Sequence, residues 1–180
     1  MALETLVAPA TEPVTLAGAR AFLRIGTDGD DNVLTSLLIA AREALEARTG
    51  RAFISRTVRQ LFLGPDRFER RLPGTLVPGR APATNLVAVR LIAEDGTETP
   101  APANLVRLID GRFMLTALLS PNVMGLSIDY QAGYNTSAAS VPEAIKISLY
   151  EAVAEALIRR DSGTSDSGKA WDSLVYEVKL

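Results

Sequence analysis

The sequence predicts an α+β fold: a three-helix bundle-like core packed with an antiparallel β-meander, followed by an extended C-terminal arm. Apolar residues recur at helical spacing near both ends of the chain, and apolar and polar residues alternate through its middle third. A length of 180 residues, 47% of them apolar, is enough for one domain with its own core. We therefore predict a domain over residues 1–160, a flexible linker over 161–168 and a docking arm over 169–180.

Helices are predicted over about residues 15–25, 31–49 and 142–160. Thr15 is a good N-cap residue for the first helix, and Pro142 suits the first position of the third. The second helix has the clearest pattern, because the residues of one face are all apolar: Leu34, Leu37, Leu38, Ala41, Ala44 and Leu45.

Strands are predicted between about residues 53 and 131. Asp95-Gly96 and Asp110-Gly111 are two-residue sequences that favour tight β-hairpin turns. Residues 126–130 alternate between apolar and polar side chains, which is typical of a strand with one buried face. The prolines and glycines within residues 64–83 predict a long loop or an edge hairpin.

Composition removes several kinds of chemistry. The chain has no cysteine and no histidine, so it can form neither disulfides nor a Ser-His-Asp or Cys-His catalytic device. No segment approaches the roughly 18 apolar residues of a membrane span, and the first residues lack the features of a secretory signal. We therefore expect a soluble structural protein that is not an enzyme and that holds no cofactor or metal.

Acidic residues cluster at two places, and neither predicts catalysis. The loop over residues 28–31 lacks the later ligands of a calcium-binding loop, so we expect helix capping and solvation. Glu43 and Glu46 lie one turn apart, but Arg42 and Arg48 are interleaved with them, which predicts a solvated, charge-balanced face. A carboxylate enzyme would need two or more buried acids that converge in one pocket.

Arginines are concentrated between residues 51 and 80. The candidates for ring-interface or channel contacts are Arg51, Arg56, Arg59, Arg67, Arg70 and Arg71. A subunit-interface role is the preferred interpretation, because the stretch has neither a set of aromatic residues for base stacking nor a groove-reading helix. The alternative is a nucleic-acid-binding accessory protein of DNA packaging, whose DNA affinity would fall steeply with salt.

The C-terminal arm has a strand-like pattern after a stretch of linker composition. Its apolar residues are Trp171, Leu174, Val175, Tyr176, Val178 and Leu180. A tethered strand of this kind can add to the edge of another sheet, where main-chain hydrogen bonds provide affinity and aromatic side chains act as anchors. The alternative is that the arm folds back onto its own domain.

The order of these motifs resembles the head–tail connector family of tailed phages, also called adaptor or head-completion proteins. In the N-terminal half, the matching positions are Pro13, Val14, Leu16, Leu23, Arg24, Ala41, Glu46, Thr49, Gly50 and Arg51. Toward the other end, they are Tyr130, Ala132, Gly133, Tyr134, Val141, Pro142, Ile145 and Lys146. The resemblance covers about residues 12–160.

This resemblance implies a virion structural protein of a phage, prophage or gene transfer agent, made in the bacterial cytoplasm and located at the portal vertex. Subunits of the family form a ring, generally a dodecamer, beneath the portal and extend the DNA channel toward the tail. The implied partners are other copies of the chain, the portal protein, a tail-side stopper or tail-terminator protein and, transiently and nonspecifically, the translocating DNA. We expect the arm over residues 169–180 to bind the portal.

Overall fold

The structure, a computed structural model, is described over residues 2–26, 31–64, 74–120 and 122–162. The chain divides into two compact units. The β unit comprises Met1–Ala10 and Ser55–Tyr134, and the helical unit comprises Thr11–Ile54 and Asn135–Leu180. Helices and antiparallel sheets are both present, so the predicted α+β class is confirmed.

The helical unit contains α1 Leu16–Leu23, α2 Asp31–Thr49 and α3 Glu143–Ser162, all close to their predicted bounds. The predicted N-cap is confirmed, since the Thr15 hydroxyl accepts a hydrogen bond from the Gly18 backbone N–H at 3.0 Å. Each helix contacts the other two. No helix among the described residues is both long and apolar enough to cross a membrane.

One face of α2 and one face of α3 supply much of the core of the helical unit. Their buried apolar residues are Leu34, Leu38, Ala41, Leu45, Ile145, Leu149, Ala152 and Val153. Phe53 and Ile54 are also buried here, and Ile54 forms an isolated bridge with Asn135. The strand predicted from about residue 53 begins at Arg56 instead.

The β unit contains, among the described residues, two antiparallel sheets. The strands are β1 Ala2–Val7, β2 Arg56–Leu63, β3 Gly74–Leu76, β4 Ala83–Ala93, β5 Glu98–Pro100, β6 Val106–Ile109, β7 Arg112–Leu115 and β8 Val123–Ala132. The larger sheet has the order β1-β2-β8-β4-β5 and the smaller sheet the order β3-β7-β6.

The strands are antiparallel as predicted, but the larger sheet is not a meander, because β8 lies between β2 and β4. All residues from Gly125 to Tyr130 are buried, which suits β8 to a central position with both faces covered. Strand β1 was not predicted; its six residues are all exposed, so no buried-face alternation marks it in the sequence.

Both predicted hairpin turns are confirmed. The β4–β5 turn contains Gly96 at φ +83°, and the β6–β7 turn contains Asp110 at φ +47° and Gly111 at φ +67°. Only the β6–β7 turn has two residues, because Ile109 pairs with Arg112 and both residues between them have the positive φ that such a turn needs. The β4–β5 turn is longer, because Ile92 pairs with Glu98.

Aromatic contacts join the two sheets. Phe113 of β7 packs edge-on against Tyr130 of β8 and Phe62 of β2, with ring centroids 4.9 Å and 6.3 Å away. All three side chains are fully buried. The inner face of the larger sheet is therefore an apolar core closed by the smaller sheet.

Replacing Phe113 by alanine should lower the free energy of unfolding by about 3–5 kcal/mol, because it removes the ring that both sheets share. Leu118→Ala is a suitable control: Leu118 is 63% exposed, and its truncation should change stability by less than about 0.5 kcal/mol. Denaturant unfolding of both variants tests this, and equal effects would contradict the assignment of Phe113 to the core.

Candidate assembly interfaces

The arginines proposed for a ring interface or channel fall in different parts of the chain. Arg67, Arg70 and Arg71 lie outside the described residues. Arg51 belongs to the helical unit, whereas Arg56 and Arg59 lie on β2 of the β unit, and all three are half-buried. Their role as interface or channel contacts stays a prediction.

Arg59 takes part in an ion triad centred on Asp129. Its Nε and Nη2 donate to the two carboxylate oxygens of Asp129 at 2.8 Å and 3.1 Å, and Arg90 Nη1 donates to Oδ2 at 2.7 Å. The Asp129 side chain is only 5% exposed, compared with 27% and 31% for the two arginines. Because the three residues lie on β2, β8 and β4, side-chain hydrogen bonds reinforce the backbone ladder of the central strands.

The triad is the middle of a row of alternating charges across the larger sheet. Glu4 of β1 lies opposite Arg59, and Arg59 lies opposite Asp129. At the other end, Arg90 Nε lies 3.8 Å from a carboxylate oxygen of Glu98 on β5. Opposite charges on neighbouring strands stabilise a sheet. With three carboxylates against two guanidiniums, the row does not form a basic surface for phosphate.

The arginines keep Asp129 ionised. Burial alone would raise the pKa of Asp129, but its hydrogen bonds to Arg59 and Arg90 and their positive charges outweigh burial and lower the pKa below its ordinary value. The hydrogen bond to Asp129 is the main cause of a raised pKa at Arg59. A carboxylate held ionised in this way is a poor general acid or base near neutral pH, so the triad is structural.

A second ion network, in the helical unit, overturns the prediction of a solvated charged face on α2. Arg42 and Glu46 are only 6% and 3% exposed. Arg42 Nε donates to Glu12 at 2.7 Å and Nη1 donates to Glu46 at 3.1 Å, while the Phe53 backbone N–H donates to Glu46 at 2.8 Å. Glu43 is exposed, as predicted. Glu12 and the backbone of Phe53 contact this face of α2 from outside the helix. Helical spacing alone could not predict these contacts.

Arg42 thereby connects the segment before α1 with α2, and Glu46 connects α2 with the segment that follows it. Burial alone would lower the pKa of Arg42, but its ion pairs with Glu12 and Glu46 outweigh burial and raise the pKa. Arg42 therefore stays charged, and its hydrogen bonds, with that from Phe53 to Glu46, hold three segments of the helical unit together.

The remaining sequence candidates lie at the edge of the described structure or beyond it. Asp31 is the first residue of α2 and accepts a hydrogen bond from Arg20 Nε at 2.8 Å, so its carboxylate is paired with a guanidinium. The other acidic residues of that loop lie outside the described residues. So do the arm residues proposed to bind the portal: Trp171, Leu174, Val175, Tyr176, Val178 and Leu180. Within the described ranges, no group of three or more acidic side chains could hold a metal ion.

The described residues form an α+β fold whose main ion networks join strands in one unit and helical segments in the other. The model of the family described as "Phage gp6-like head-tail connector protein" matches residues 13–93. A chain in the virion of a native gene transfer agent particle has a TM-score of 0.75 and 26% identity, over 98% of this chain and 94% of that chain. No curated protein matches the sequence.

Chains from the particle neck give the same result. A chain in the neck of the empty gene transfer agent particle, computed with C6 symmetry, has a TM-score of 0.75 and 26% identity, over 97% of this chain and 93% of that chain. A chain in the neck of the native particle, computed with C12 symmetry, has a TM-score of 0.74 and 26% identity, over 98% and 94%. Together these matches confirm the predicted resemblance to the phage head–tail connector proteins.

Removing the Arg42 guanidinium should destabilise the helical unit strongly. In Arg42→Met the buried Glu46 carboxylate loses its counter-charge, and we expect a loss of about 3–5 kcal/mol at neutral pH. Arg107→Met is the control, because Arg107 is exposed on β6 and its loss should cost less than about 0.5 kcal/mol. Chemical unfolding of both variants measures this, and two equally small losses would show that the network does not stabilise the fold.

The Asp129 triad predicts a pH-dependent contribution to stability. Because folding lowers the pKa of Asp129, its contribution is complete above the ordinary pKa of about 3.9 and is lost as the pH falls through the lowered value. Asp129→Asn should therefore cost about 1–3 kcal/mol near neutral pH and much less near pH 2. The control is Asp110→Asn in the exposed β6–β7 turn. A loss for Asp129→Asn that does not change between these pH values would contradict the ionic role.

Proposed function

We propose that this protein is a head–tail connector (adaptor) subunit that forms a ring under the portal of a tailed phage or phage-like particle and joins the head to the tail. The observation that carries the proposal is the match of nearly the whole chain, 98%, to a chain in the neck of a gene transfer agent particle. The C6 and C12 symmetries of the neck structures support a ring of several copies, and a dodecamer is compatible with both.

The proposed role needs no enzymatic activity. A connector contributes shape, stability and contact surfaces, and both ion networks serve the fold. Arg59 and Arg90 already bind Asp129, so they are weak phosphate ligands. We therefore expect contact with the translocating DNA to be transient and nonspecific, while a stopper or tail-terminator protein binds the tail-side face.

We further propose that the arm over residues 169–180 docks on the portal. The support is its pattern: apolar and aromatic residues at strand-like spacing, after a stretch of linker composition. Added as an extended strand, it would gain main-chain hydrogen bonds along its length and two aromatic anchors, Trp171 and Tyr176.

Deleting residues 168–180 should leave a folded domain whose thermal unfolding is unchanged but which no longer enters particles. The matched control replaces residues 163–168 with another Gly/Ser sequence of equal length, which keeps the tether and the arm. The measurement is the amount of each variant that copurifies with portal-containing heads. Unchanged incorporation of the deletion variant would remove the arm proposal and leave the connector role standing. Failure of the full-length chain to enter particles would remove the connector role itself.

A further inference from the structure

Strand β1 leaves one of its two hydrogen-bonding edges open. It is the outermost strand of the larger sheet and pairs with β2 on one side; among the described residues, no strand pairs with its other side. All six of its residues are exposed. The backbone N–H and C=O groups along such an edge can pair with a further strand, so the β1 edge is a candidate contact surface.

The opposite edge of the same sheet is protected against strand addition. Strand β5 has only three residues and ends at Pro100, which has no backbone N–H to donate. Strand β1 has six residues and no proline, so it has neither of these two protections. Of the two edges of the larger sheet, β1 is therefore the one suited to accept a partner strand.

A strand added to β1 would meet a different environment on each of its faces. On the charged face of the sheet, the row of alternating charges ends at Glu4, so a neighbouring strand should carry a cation there. On the other face, Leu3 lies opposite Gln60, which lies opposite the buried Ile128, and Leu3 is still 38% exposed. The matching strand is therefore apolar on one side and has a cation on the other.

The arm over residues 169–180 has this pattern in its sequence. In an extended strand Lys179 would lie on one side, and the residues on the other side would all be apolar: Leu174, Tyr176, Val178 and Leu180. Antiparallel pairing of Lys179 with Glu4 would place Leu180 opposite Leu3, so the charged and the apolar contacts agree in one register. A shift by one residue would turn Lys179 to the apolar face. A shift that puts Glu177 in its place would set two carboxylates opposite each other.

We propose that the arm of one copy adds to the β1 edge of the next copy in the ring. Two different surfaces of the chain then meet, which is the heterologous contact that a ring needs. The chain beyond α3, residues 163–180, can extend over about 55 Å, which provides the reach to a neighbouring copy. Pairing of two β1 edges would instead close a dimer and bring the Glu4 carboxylates of both copies close together.

This inference rests on the proposed ring and deepens the proposed role of the arm. An extended strand has two hydrogen-bonding edges. An arm that pairs with β1 through one edge keeps the other edge, and Trp171 near its start, for the portal. The arm would then join two neighbouring copies to each other as well as to the portal.

Disulfide cross-linking tests the contact directly, because the chain has no cysteine of its own. The variant Leu3→Cys with Leu180→Cys carries one thiol on each surface, opposite each other in the proposed register. Mild oxidation of particles that contain it should give a ladder of dimers, trimers and larger products, since each copy then joins both neighbours. Each single variant should give no dimer. The control is Thr99→Cys with Leu180→Cys, whose first thiol lies on the short β5 edge and should give no ladder.

Charge reversal tests the register. In the Leu3→Cys, Leu180→Cys chain, either Glu4→Lys or Lys179→Glu sets like charges opposite each other and should lower the yield of the ladder up to about five-fold. Combining the two reversals should restore the yield, because opposite charges meet again. A yield that neither reversal changes would contradict the pairing of Lys179 with Glu4.

Three cross-linking results would overturn the inference and leave the connector role standing. Dimers from Leu3→Cys alone would show that β1 edges pair with one another. An internal disulfide without a ladder would show that the arm pairs with β1 of its own copy. A ladder no stronger than that of the Thr99 control, in particles that contain the chain, would show that the arm binds elsewhere. Absence of the wild-type chain from purified particles is a different result: it contradicts the connector role and with it the ring.

Discussion

The β unit depends on Asp129 being held between Arg59 and Arg90. Asp129 lies on β8, the central strand, and its partners lie on the two strands that flank β8. Shifting either flanking strand by one residue would turn its arginine to the opposite face, so the triad helps to specify the register of the sheet. On the other face of the same strand, Tyr130 packs against Phe113 of the smaller sheet. The central strand is thus fixed by ions on one face and by aromatic rings on the other.

Charged and apolar side chains have different roles throughout this structure. In each unit a buried charged side chain is paired with its opposite: Asp129 with Arg59 and Arg90, and Arg42 with Glu12 and Glu46. Exposed apolar side chains also remain, among them Ile147 and Ile158 of α3. Ionic pairing within the chain and exposed apolar side chains on its surface are both compatible with the proposed role in a particle neck.

Local patterns in the sequence were sufficient to predict the helices and the hairpins. Thr15 and the 3.6-residue spacing of leucines mark α1 and α2, and the two Asp-Gly turns follow from the backbone angles that such turns require. The central position of β8 and the Asp129 triad could not be predicted, because they depend on pairing between strands far apart in the chain. The burial of Arg42 was missed for the same reason: its cover comes from other segments.

The central claim is that this chain is a ring subunit of a particle neck, and electron microscopy of purified particles tests it most directly. Particles assembled with a chain that carries a small, visible fusion domain should show extra density as a ring between the portal and the tail. Extra density on the capsid shell or along the tail, or none at all in particles that are otherwise complete, would contradict the account.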